Sequence, residues 1–128
     1  MIKNVLLVNG IADLLVAIVL IFFTSFNIPI PGYPNLDFMT IFVAGGWGIA
    51  ALTLGITRIW ASKKEEFFIF VGVCGLIEGF SLSVFSCIYL TLDRITYLQA
   101  ILPLGIGVIF GIAYVVFLIL HLREIRNI

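Results

Sequence analysis

The chain has 128 residues, of which 62% are hydrophobic and 11% charged, and its formal charges cancel at neutral pH. A soluble domain of ordinary composition carries about 25% charged residues, so lipid is the expected solvent for much of this surface. No basic face, zinc-ligand spacing or nucleic-acid motif occurs, and DNA and RNA are excluded as expected partners.

The first apolar run covers residues 5–23, behind Lys3. A helix needs about 20 apolar residues to cross a hydrocarbon core of roughly 30 Å. The run is longer than a signal-peptide core and no small-x-small cleavage site follows it, so a retained span is expected. At 100° per residue, Asn9, Gly10, Asp13 and Ala17 share one face. The connection 24–37 holds Pro29, Pro31, Gly32 and Pro34 with Phe26 and Tyr33. Its prolines oppose a regular helix, and its lack of Lys and Arg suits an external loop at headgroup level.

The second run, 38–60, places Thr40, Ala44, Trp47, Gly48, Ala51, Gly55 and Arg58 on one face. A compact charged turn, 61–66, leads into the third run, 67–90. There Gly72, Gly75, Gly79, Ser83 and Ser86 align, with Glu78 on their margin. Cys74 and Cys87 lie about 20 Å apart along such a helix, too far for a disulfide, and are expected to be buried free thiols. After a short turn bearing Asp93 and Arg94, the fourth run, 97–120, aligns Pro103, Gly107, Gly111, Tyr114 and His121. Small residues let helices approach closely in lipid, so the Gly75-x-x-x-Gly79 and Gly107-x-x-x-Gly111 spacings are expected to serve packing within the chain.

These runs predict an all-α membrane protein with one domain, 1–128, and four transmembrane helices in an up-down-up-down bundle. Lys3, Arg58, Lys63, Lys64, Arg123 and Arg126 fall on one side and only Arg94 on the other. The positive-inside rule then predicts cytoplasmic N- and C-termini, in the plasma (inner) membrane. A shift of 65 residues lays Asn9-Gly10-Ile11-Ala12-Asp13 on Cys74-Gly75-Leu76-Ile77-Glu78, which suggests a parallel two-hairpin repeat.

Asp13 and Glu78 each lie about 15 Å along their spans from the cytoplasmic end, near mid-membrane. Ionisable groups at that depth are costly and usually have a reason. One polar cluster of Asn9, Asp13, Glu78 and Arg58 is expected, with Trp47, Thr53 and Tyr114 as candidate cavity lining. Arg58 has an alternative, since its side chain can snorkel to the headgroups. Structural glue is the competing explanation for the acids. No cofactor or metal is expected, because His121 is the sole histidine and stands alone.

In size and in the acid of its first span, Asp13, the chain is similar to the small multidrug-resistance exporters. Glu78 departs from their pattern, and no site of theirs is carried over. Three functional classes remain. An accessory, helix-packing subunit bound to other membrane proteins or to its own copies stands first. A small oligomeric transporter or proton-coupled protein using Asp13 and Glu78 stands close behind. An enzyme or carrier for a lipid or quinone comes last, because no nucleophile or metal set accompanies Ser81, Ser83 and Ser86.

Overall fold

The computed structural model describes residues 1–30, 32–33 and 37–127. Four helices occupy nearly all of these: α1 (Ile2–Ser25), α2 (Phe38–Ala61), α3 (Phe68–Thr91) and α4 (Tyr97–Arg126). A single 3-10 turn, Glu65–Phe67, precedes α3. Each helix is long and apolar enough to cross a membrane. A 24-residue helix such as α1 reaches about 36 Å, more than the hydrocarbon core requires. Helices satisfy their own backbone groups, the one demand that lipid makes of any spanning segment.

The helix ends are set locally. Both α1 and α3 stop on a residue in the left-handed region, Asn27 (φ 53) and Asp93 (φ 52). In each case the next amide reaches back five residues, Ile28 to Phe23 (2.8 Å) and Arg94 to Tyr89 (3.0 Å). These are Schellman endings, which satisfy carbonyls that the helix leaves over. At the start of α4, Thr96 and Gln99 form a reciprocal capping box. Gln99 also donates through Nε2 to the Gly32 carbonyl at 2.9 Å, tying the first connection to the fourth helix. Gly32 adopts φ 88, a conformation that L side chains rarely take. The expectations placed on Pro31 and Pro34 lie outside the described residues.

Asp37 caps α2, its Oδ1 accepting from the Thr40 amide at 2.6 Å. Hydrogen bonding from Thr40, by its side chain and by its backbone N–H, holds the Asp37 carboxyl below the usual carboxylate range. The cap's contribution is therefore complete above the unfolded pKa of about 3.9 and is lost as pH falls through the lower folded value. Hydrogen exchange at the Thr40 amide is expected to quicken in that acidic window in the native chain. In Asp37→Ala it should be fast, beyond exchange's own pH dependence, at every pH.

α1 packs along α2, and α3 along α4, while the two pairs meet chiefly through α1 against α4 and α3. Glycine sets both close approaches. A Cβ on Gly10 would stand 2.9 Å from the Gly55 carbonyl, and one on Gly55 would stand 2.8 Å from the Gly10 carbonyl. Further along, Gly48 meets Leu20 and Ile21. Contacting residue numbers thus rise on α1 as they fall on α2. The same holds for Gly72 against Leu118, Gly75 against Tyr114 and Gly79 against Gly107. The buried positions Asn9, Gly10, Asp13 and Ala17 on α1, and Gly48, Ala51, Gly55 and Arg58 on α2, are those of the small-residue stripes.

The densest hydrophobic core gathers at the end that holds the termini, from Ile2, Leu6, Ala61, Phe68, Tyr114 and Leu118. The outer faces are Leu, Ile, Val and Phe. Cys74 and Cys87, expected to be buried, are exposed there. They project away from the glycine stripe of α3, and against lipid an apolar thiol needs no protein around it.

Candidate functional site

The first close approach positions the site. Gly10 and Gly55 bring α1 and α2 nearly into backbone contact, and Arg58 follows one turn after Gly55. A Cβ on Gly10 would stand 3.1 Å from that of Arg58. The arginine therefore emerges beside α1, three residues from Asp13. Its guanidinium turns inward rather than toward the helix end: Nη1 donates to the Asp13 carboxylate and Nη2 to the Glu78 carboxylate. Arg58 is only 2% exposed. The two acids differ, the Asp13 side chain being 10% exposed and that of Glu78 32%. Snorkelling, the alternative for Arg58, does not occur, because the glycine crossing puts two acceptors closer than the helix end.

Three helices thus each contribute one charged group. α2 and α3 have few other contacts, so the Arg58–Glu78 pair is the main tie between them. Hydrogen bonds involving charged partners are the strong ones, yet the cluster is unbalanced. One guanidinium faces two carboxylates, a formal charge of −1 in an apolar setting where a lone charge is expensive. A bound proton or cation restores neutrality. The cluster can therefore hold, and exchange, a single positive charge.

Asn9 lies one turn before Asp13 and is 3% exposed. Its Nδ2 donates to the Tyr114 hydroxyl at 2.9 Å. Tyr114 is fully buried, its ring seated where a side chain on Gly75 would have to be. Asn9 Oδ1 has no hydrogen-bond partner among the described residues.

A cavity of about 40 Å³ touches both acids and is lined by Val16, Trp47, Leu102 and Pro103 among others, so all four helices contribute to it. Trp47 is on this wall, as the sequence suggested. Thr53 is not: it is exposed on the outer face of α2, with its hydroxyl bonded to the Ile49 carbonyl at 3.1 Å. Tyr114 packs between helices instead of lining this cavity. Leu102 escaped the sequence reading, since one leucine among many carries no signal. Pro103 carries one, being a residue with no N–H inside an apolar helix. Among the described residues no group of His, Cys, Asp and Glu is placed to hold a metal ion.

Compared with protein-family models, curated proteins and solved structures, the chain finds no match.

Proposed function

We propose that the protein is a small proton-coupled or cation-handling transporter of the plasma (inner) membrane, acting through Asp13 and Glu78. Its four spans thread up-down-up-down with both termini in the cytoplasm, the arrangement that the Lys and Arg distribution favours. The observation that carries this reading is one arginine shared by two carboxylates beside a cavity that reaches both. A purely structural ion pair needs neither the second acid nor the opening. A parallel repeat of two hairpins would make Asp13 and Glu78 equivalents. The equal lengths of α1 and α3 and their identical Schellman endings favour that relation.

The test is flux. Purified protein in vesicles carrying a pH-sensitive dye is expected to pass protons or alkali cations down an imposed gradient. Asp13→Asn and Glu78→Gln should each abolish the flux while leaving the helical circular dichroism intact. Equal flux in protein-free vesicles, or undiminished flux in both variants, would overturn the transporter reading.

The accessory-subunit reading has one observation of its own. Gly46, Ala50, Thr53 and Thr57 are exposed on the outer face of α2, and such small residues accommodate another helix. Under that reading the two acid variants would still co-purify with a larger membrane protein, and no flux would be seen in any of them.

A further inference from the structure

The cavity at the acids does not stand alone. Toward the end that carries Tyr33 and Asp37 lies a larger one of about 430 Å³, lined by Tyr33, Asp37, Thr40, Val43 and others, and it shares Trp47 and Leu102 with the 40 Å³ cavity. On the other side, a pocket of about 10 Å³ is lined by Asn9, Glu78, Gly79 and Phe110 and shares Glu78, Leu82 and Ile106 with the same cavity. The three form a line that narrows from the Asp37 end to Asn9. Beyond Asn9 the way is filled, since Leu6 and Tyr114 are 0% exposed and Leu118 and Phe68 pack beside them.

The line ends at an orphan. The Asn9 amide oxygen is buried, has no partner among the described residues, and belongs to the residue that walls the last pocket together with Glu78. A buried acceptor without a partner costs about 1–3 kcal/mol, so its place beside a carboxyl group calls for a donor. A volume of roughly 10–15 Å³ is what one water needs. An ionised carboxylate has no hydrogen to offer, whereas a protonated one does.

Building on the proposed transport reading, we infer that Glu78 is the group that takes up and releases the proton, supplied by water from the Asp37 end alone, with Trp47 and Leu102 as the gate and Asn9 as the acceptor. Asp13, the more enclosed acid, stays ionised as the standing partner of Arg58. An O–H bond of a hydronium in the 40 Å³ cavity breaks as an O–H bond forms on the Glu78 oxygen that Arg58 does not hold. The carboxyl then donates to Asn9 Oδ1 through one water in the last pocket. The cluster passes from a charge of −1 to neutral, and release runs the same step in reverse. The groups facing Glu78 are Asn9 and Asp13 from α1, Arg58 from α2 and, behind Asn9, Tyr114 from α4. The α4 residues on the cavity wall itself, Leu102, Pro103 and Ile106, do not titrate.

Two measurements on the full chain test this without any flux. In a background of Cys74→Ala and Cys87→Ala, Ile106→Cys puts a thiol on the wall shared by the two inner cavities. In vesicles of known orientation a membrane-impermeant cationic thiosulfonate should modify it from the Asp37 end only, and several-fold faster when Trp47→Ala is added. Modification from the end that holds the termini, or none from either end even with Trp47→Ala, overturns the path and the gate. Infrared difference spectra across a pH step should show a carboxylic-acid C=O band. That band is expected to vanish in Glu78→Gln, shift in Asn9→Val and survive in Asp13→Asn. A band that follows Asp13 instead, or ignores Asn9, overturns the assignment. Correct labelling and bands without flux would leave this inference standing and remove the transport reading. Flux with access from the opposite end would do the reverse.

Discussion

Arg58→Met is expected to destabilise the protein by about 3–5 kcal/mol, the usual cost of removing one partner from a buried ionic cluster. The reason is the pair of acids left behind. Asp13 and Glu78 reach the same guanidinium from two different helices, so its loss leaves two carboxylates facing each other with no cation between them. Thermal unfolding in detergent micelles, followed by circular dichroism, reads the loss. Most of it should return in the triple variant Arg58→Met, Asp13→Asn, Glu78→Gln, because uncharged groups of similar size restore neutrality. Arg58→Lys should recover only part, since a single ammonium lacks the planar fork that lets two nitrogens serve two carboxylates. If Arg58→Met melts like the native protein, or the triple variant is no better than the single one, the cluster does not hold these helices together.

Gly79→Ala is expected to cost about 1–3 kcal/mol, the range for adding a methyl group to a packed interior. The new carbon would stand 2.8 Å from the Gly107 carbonyl oxygen and 2.9 Å from the Gly111 Cα. Those are backbone atoms, which retreat only if α3 and α4 part. Glu78 is the neighbouring residue, so its bond to Arg58 should loosen as the helices separate. Gly46→Ala and Gly105→Ala are the controls. A Cβ at either position meets nothing within 4 Å, and each should stabilise its helix by about 0.5–1 kcal/mol through reduced chain entropy. The same melting measurement decides, and equal behaviour of the three alanine variants would dismiss the glycine crossing as the cause.

The helices and their inner faces were legible because helical geometry fixes which residues share a side, and because small residues are scarce on lipid-facing surface. Asn9, Gly10, Asp13 and Ala17 could be grouped on that basis alone. The direction taken by the Arg58 side chain was not legible. Two outlets lay within its reach, and the choice depends on how closely α1 and α2 approach at Gly10 and Gly55, a distance between elements rather than a pattern within one. Trp47 and Thr53 were offered as equals and have different fates, because they lie six residues apart on α2 and face different ways. The cysteines failed for another reason. Burial preferences learned from water-soluble proteins place thiols inside, and that preference vanishes when the surroundings are as apolar as the interior. The bond between Gln99 and Gly32 joins residues distant in sequence and has no local signature.

That last bond has a mechanical consequence. The first helical pair is held to the second at the rim by the Gln99 amide on the Gly32 carbonyl, and again at mid-depth by the guanidinium of Arg58. Two fixed points define a line, and a rigid body pinned at both retains one freedom, rotation about it. If the pairs move relative to each other while both joints hold, they swing about an axis from the loop to the acids, like a door on two hinges.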